Sequence, residues 1–220
     1  MIIVTGAAGH LGQSVLRKLA AEGHEVAAVD LAGTVPDVGQ ATSLTGIDLN
    51  DVAATTAAFT TLTSSGRVTG LVNLAGGFRW ETVGDGSVDS WDLLYRMNLR
   101  SAVNAIRAIL PALRSGGGVI VNVAAQAAIR AASGMGAYAA SKAGVMRLTE
   151  SLAAEEMDRG VRVNAVMPSI IDTPVNRADM PDADFDRWVA PDALADVVAF
   201  LISDAARAIT GACIPVTGRS

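Results

Sequence analysis

The sequence has one cysteine, Cys213, and two histidines, His10 and His24. A single thiol cannot close an intrachain disulfide or build a thiolate metal cluster, and two such distant imidazoles lack metal-ligand spacing. No metal centre is expected, even at the acidic stretch around 179–186, because a divalent cation needs oxygens that converge in a defined geometry. Positive charge is also short, with a formal net charge of -5 and a pI near 5.0. Without a cationic footprint, nucleic acid and anionic membrane are excluded as partners and a small molecule is expected. Long apolar runs are missing too. The longest, around 119–129, is interrupted by Asn122 and Gln126, well short of the ~18 residues a spanning helix needs. Residues 1–4 meet a glycine too soon to be a secretory core, so they read as a first strand in a soluble, cytoplasmic protein.

Half of the 220 residues are apolar, enough for one sizeable core. Short β-branched runs alternate with longer alanine- and leucine-rich stretches, the pattern of strand-helix units around a parallel sheet. Strands are predicted at 1–5, 24–30, 42–46, 69–74, 119–124, 161–167 and 212–216, and helices at 11–22, 50–64, 90–114, 136–158 and 190–204. The predicted fold is α/β: a single doubly wound Rossmann domain over residues 1–220, with a seven-stranded parallel sheet flanked by helices. Residues 31–41 read as a surface loop. Residues 168–189 follow the carboxyl end of a strand, where open α/β sheets bind ligands, and exceed an ordinary connection, so they read as a substrate lid.

The first strand runs into Gly6, Gly9 and Gly12, with His10 and Leu11 between the last two. Such a loop lets main-chain amides approach a pyrophosphate at a helix N-terminus, although an ordinary tight turn also fits. Asp30 ends the second strand, eighteen residues beyond Gly12. A carboxylate there can accept hydrogen bonds from ribose hydroxyls and repels a 2′-phosphate. No Lys or Arg occurs between Lys18 and Arg67, so NAD(H) is expected in preference to NADP(H).

Tyr138 and Lys142 stand four residues apart in Tyr-Ala-Ala-Ser-Lys. On a helix they share a face one turn apart, and a fixed cation near the phenol is expected to lower its pKa from about 10 toward neutrality. The phenol could then exchange a proton at working pH. Alone, the pair fits a half-buried tyrosine with a solvated lysine far better, and only context overturns that reading.

That context is Asp48-Leu49, the run 73–77 (Asn-Leu-Ala-Gly-Gly), Asn98, and the run 162–168 ending in Pro168. With the glycine loop and the Tyr-Lys pair, these resemble the short-chain dehydrogenase/reductase family across essentially the whole chain. The resemblance implies that Asp48 and Leu49 border the adenine, that Asn73, Ala75 and Gly76 line the middle of the cofactor, and that Pro168, Ser169, Ile171 and Thr173 face the nicotinamide. It further implies that Tyr138 donates the proton, that Lys142 holds the nicotinamide ribose and acidifies the tyrosine, and that Asn98 maintains a water path to Lys142. Phe78, Ala125, Gln126 and Trp188 would meet the substrate.

The family's usual serine, thirteen residues before the tyrosine, is here Ala125. Losing one preorganised donor to a developing oxyanion costs about 3 to 4 kcal/mol. Ser133 lies on the same loop at a different spacing. Quinonoid dihydropteridine reductases, a branch without that serine, are similar in the Ala-Gly-Gly followed by an aromatic, in Gly134-Met135, and in the stretch 172–188. The main reading is therefore NADH-dependent hydride transfer to a conjugated C=N or quinonoid acceptor, with Phe78, Trp80 and Trp188 as walls for a flat ring. The alternatives are a conventional short-chain alcohol/carbonyl dehydrogenase and a noncatalytic NAD(H)-binding sensor or scaffold. Helices 90–114 and 136–158 are apolar over more than a narrow stripe, which implies a homo-oligomer, dimer or tetramer.

Overall fold

Seven short, mostly apolar strands build one parallel sheet in the order β3-β2-β1-β4-β5-β6-β7. The computed structural model describes residues 1–35, 37 and 41–220, with only the backbone at Ala41. Part of the predicted loop 31–41, namely 36 and 38–40, lies outside the described residues. The strands are β1 (Ile2–Thr5), β2 (Val26–Val29), β3 (Ala41–Leu44), β4 (Gly70–Asn73), β5 (Gly118–Val123), β6 (Val161–Pro168) and β7 (Cys213–Val216). Because side chains alternate across a pleated strand, Ile2 and Val4 pack on one face while Ile3 packs on the other.

The helices cover both faces. On one side lie α1 (His10–Ala21) and α7 (Pro191–Ile202), packing Val15, Leu16, Leu19, Leu194 and Val198. On the other lie α2 (Val52–Ser65), α4 (Ser101–Gly116) and α5 (Gly136–Glu156), packing Phe59, Leu62, Ile106, Ile109, Leu113 and Leu152. Local chemistry sets their starts. The Asp51 side chain accepts from Ala53 N and Ala54 N to cap α2, and Pro191 begins α7, where a missing N–H costs nothing.

The stretch expected to be one helix over 90–114 is three segments: α3 (Val88–Tyr95), a π-helical turn (Arg96–Arg100) and α4. The wide turn carries Asn98, whose amide is bonded in both directions to the Gly77 backbone. Such π turns often occur at functional sites. The structure also forms α6 (Pro174–Asp179) within the predicted lid.

A line of buried polar side chains crosses the sheet near its carboxyl edge. Thr5, Asn73 and Asn122 are register partners on β1, β4 and β5. The Asn73 amide donates to Asn122 Oδ1 at 2.9 Å, Asn122 donates to Thr149 Oγ1 on α5 at 3.0 Å, and Thr149 donates to Val145 O at 2.8 Å. Thr5 completes the row at 3.5 Å from Asn73 Oδ1. A buried donor without a partner costs about 1 to 3 kcal/mol, so the row fixes both strand register and the rotation of α5. Asn122→Leu is expected to lower the unfolding free energy by about 2 kcal/mol in denaturant titration; a loss below about 0.5 kcal/mol would contradict this role.

Candidate active site

The order of the sheet reverses between β1 and β4, and the loops leaving their carboxyl ends diverge there to open a crevice. Its lining includes Gly6, Gly9, Asp30, Asp48, Leu49, Ala75 and Gly76, all anticipated from sequence, together with Leu31, Ile47, Asn50, Leu74, Met97 and Ser101, which were not. The volume is about 310 Å³. A larger hollow of about 440 Å³ lies between the ends of α2 and α4, beside Arg67, Ser115 and Gly116, away from every anticipated residue.

The glycine loop is built for close approach. Gly6 has φ +66°, and a Cβ there would lie 2.6 Å from Ala75 N, so this position joins the loops after β1 and β4. A Cβ on Gly12 would lie 2.3 Å from Gly6 O, which seats α1 on the turn. Gly9 differs: its nearest neighbour is Gly6 O at 3.4 Å, leaving its outer side open. It precedes α1 without a side-chain cap, so the first-turn N–H groups at His10 and Leu11 are available to an anion.

Asp30 is fixed at the crevice rim by Ala8 N and Ala32 N, each 2.8 Å from one carboxylate oxygen. Its unused lone pairs remain for hydroxyl donors. Asp48 accepts from Asn50 N and Asn50 Nδ2, while Asn50 Oδ1 is buried without a hydrogen-bond partner among the described residues. Open glycine, uncapped helix, rim carboxylate and spare acceptor together fit a dinucleotide with its adenosine half toward Asp30 and Asp48.

Tyr138 and Lys142 lie on the first two turns of α5, beyond the Gly76 end of that crevice. The Tyr138 ring meets Phe78 edge to face, with centroids 5.0 Å apart at 86°. Burial pushes the phenol up to about 12, opposite to the acidification expected from the sequence. The reason is local. Lys142 is 6% exposed and gives a hydrogen bond to Val123 O at 2.8 Å, and its own pKa is drawn down to about 8 by burial. Loss of water outweighs any help the amine gives the phenolate. A Cβ on Gly76 would come 3.5 Å from Lys142 Nζ and 2.5 Å from Asn98 Oδ1, so the three residues converge at the crevice floor.

Asn98 is buried, and both of its amide atoms are bonded within the protein. It bonds Gly77 through both amide atoms and donates to Ser141 Oγ at 3.0 Å, and Ser141 in turn donates to Tyr138 O at 2.7 Å. Ser141, inside the Tyr-Lys motif, thus ties Asn98 to the tyrosine backbone, a role that spacing did not show.

Other anticipated residues are committed elsewhere. Asn73 turns into the buried polar row. Ala125 is buried at the head of a short 3-10 turn, Gln126–Ala128, and Ala124 lies beside it in the core. Ser133 is exposed and offers its carbonyl to Trp80. Trp188 is buried and packs against Phe185 at 4.8 Å, so its ring is structural packing rather than an open wall. Beyond Pro168, Ser169 donates to Thr217 O, Ile171 pairs with Val189, and Thr173 caps α6. Arg177 closes the segment by gripping Asp172 with two bonds and lying 4.6 Å over Phe185.

Comparison with known proteins agrees with this fold. The family model described as short chain dehydrogenase matches residues 1–184. The D-threitol dehydrogenase of Mycolicibacterium smegmatis is 35% identical, over 98% of this chain and 90% of that protein. The (3R)-3-hydroxyacyl-CoA dehydrogenase of Rattus norvegicus is 32% identical, over 99% and 95%. Among solved structures, a short-chain dehydrogenase/reductase family oxidoreductase from Burkholderia thailandensis superposes with a TM-score of 0.86 at 32% identity, covering 99% of this chain and 90% of that one.

Holding Lys142 in a dry site disfavours the native state wherever the unfolded amine is protonated. The penalty is complete below the folded pKa of about 8 and is relieved as pH rises toward the ordinary lysine value of 10.5. Lys142→Met is expected to unfold at higher temperature than wild type at neutral pH, by an amount that shrinks as alkaline pH is approached. A variant that melts lower at neutral pH would contradict the burial argument.

Proposed function

The chain belongs to the short-chain dehydrogenase family, and from that premise we propose an alcohol/carbonyl dehydrogenase that uses NAD(H), with Tyr138 as the proton carrier. The family membership makes it an oxidoreductase that binds NAD(P)(H). The observation that carries the finer reading is a half-buried phenol against Phe78, one helical turn from a buried lysine at the crevice floor. The relatives named for threitol and a 3-hydroxyacyl thioester support a substrate carbon that bears oxygen.

A bound NAD(H) would supply or take the hydride. Tyr138, with a pKa near 12, is protonated at neutral pH and suits the reductive direction: its O–H proton passes to the substrate oxygen while the phenol oxygen keeps the electron pair. Lys142 has N–H donors beyond the one given to Val123 O, and these would hold the nicotinamide ribose. Asn98 positions the Gly77 backbone and Ser141. The fixed Asp30 carboxylate favours NAD(H) over NADP(H), because a 2′-phosphate would meet a like charge. The whole chain acts as one domain in which residues 168–189 cover the substrate. Faces of α4 and α5, where Leu110 and Leu148 are only half-buried, pair two copies in a cytoplasmic homodimer.

One observation favours a second reading. By the family resemblance Ala125 stands where a serine hydroxyl would stabilise the oxyanion, so an acceptor that spreads its charge over a conjugated ring, such as a quinonoid dihydropterin, would lose less.

Oxidation of NADH and NADPH with benzaldehyde, cyclohexanone and quinonoid dihydropterin tests both readings. The expected result is NADH-driven carbonyl reduction that falls by about a hundredfold or more in Tyr138→Phe. Ala125→Ser is expected to raise carbonyl turnover about tenfold or more, since it restores one donor, and to leave pterin turnover unchanged. Turnover of the pterin alone would overturn the carbonyl reading.

A further inference from the structure

We infer that Trp80 and Gly134 form a latch that holds the first turn of α5, and so Tyr138, against the loop that carries Phe78. This rests on the reading of Tyr138 as proton donor.

The latch joins two loops that leave different strands. Trp80 lies on the loop after β4, two residues beyond Phe78, and Gly134 lies on the loop after β5, four residues before Tyr138. The indole Nε1 donates to Ser133 O at 3.0 Å, and Glu81 N donates to Gly134 O at 2.9 Å. Adjacent residues of one loop thus bond adjacent residues of the other. The indole also lies directly over the glycine: a Cβ on Gly134 would fall 2.1 Å from Trp80 Cε2 and 2.2 Å from Nε1. Gly134 has φ +75°, a left-handed conformation that side chains resist. Both the conformation and the ring contact therefore require glycine.

The start of α5 has no side-chain cap of its own. Met135 occupies the cap position without a side-chain cap bond, and a helix end in that state frays readily. Packing supplies what capping does not. Trp80 covers Gly134, and the space beside the Gly136 Cα is lined by Trp91 and Val83. One turn on, Phe78 meets Tyr138, so the segments 78–81 and 133–138 hold one another at both ends. Trp80 remains 60% exposed. A large apolar ring left this open earns little by burial, and its contacts go to the segment leading into Tyr138. Trp80 is therefore a positioning residue, because proton transfer falls off steeply when the donor shifts by about 1 Å.

Amide exchange and kinetics on Trp80→Ala, Trp80→Phe and Gly134→Ala test the latch, with NADH-driven reduction of benzaldehyde as the assay. The amides to follow are Met135, which donates to Ala132 O, and Ala139, which donates to Met135 O. In Trp80→Ala and Gly134→Ala their exchange is expected to rise about tenfold or more while the distal half of α5 keeps its protection. Benzaldehyde kcat is expected to fall about tenfold or more with the KM for NADH changed less than about twofold. Trp80→Phe keeps a ring over Gly134 and is expected to recover part of kcat. Unchanged exchange, exchange raised along the whole helix, or wild-type kcat in Trp80→Ala would each overturn the latch. Tyr138→Phe separates the two ideas: wild-type turnover in that variant removes the proton-donor reading, whatever the exchange experiment shows.

Discussion

Withdrawal of one phenol and one amine from water, on successive turns of a single helix, is the constraint to which the rest of the structure answers. Neither group gains from burial by itself. Tyr138 is pushed up to about 12 and Lys142 down to about 8, so each is held closer to its neutral form. A protein keeps such groups dry only where surrounding contacts outweigh the cost. Here those contacts are the Phe78 ring, the Val123 carbonyl and the convergence of Gly76 with Asn98.

The parallel sheet delivers this arrangement by placing loop-forming residues at the carboxyl ends of β1, β4 and β5. The buried row from Thr5 through Asn73 and Asn122 to Thr149 links those strands to α5, the helix that carries the reactive pair. The π turn performs a related task on the neighbouring helix, bringing Asn98 to Gly77 and Ser141. An ion pair lies farther along α5: Glu156, fully buried, is gripped by Arg114 of α4 through both carboxylate oxygens and is held below the usual carboxylate range by that guanidinium. It contributes stability above the unfolded carboxylate pKa and loses that contribution as acid protonates it. The two helices are thus fastened at both ends, with the chemistry at one of them.

Much of this was legible in the sequence. Alternation of β-branched runs with helical spacing located all seven strands to within a few residues, because strands buried on both faces read as short apolar runs. Gly6, Gly9, Asp30, Asp48, Leu49, Ala75 and Gly76 all line the crevice, since strand-end position is a local property. The π turn was hidden because residues 90–114 keep continuous helical spacing, and only the distant Gly77 backbone explains the extra width. The polar row was hidden for the same reason: its members are separated by 27 to 68 positions and meet only through strand register. Helical periodicity put Tyr138 and Lys142 on one face, but it could not show that the amine is bonded to Val123 O, and so the direction of the tyrosine shift came out reversed.

Ultraviolet titration of the phenol addresses the central constraint most directly. The chain has two tyrosines, Tyr95 and Tyr138, so a Tyr95→Phe protein reports Tyr138 alone. The account predicts little tyrosinate near pH 10, where a free phenol is about half ionised. Half ionisation at or below that pH in the folded, ligand-free protein would contradict it.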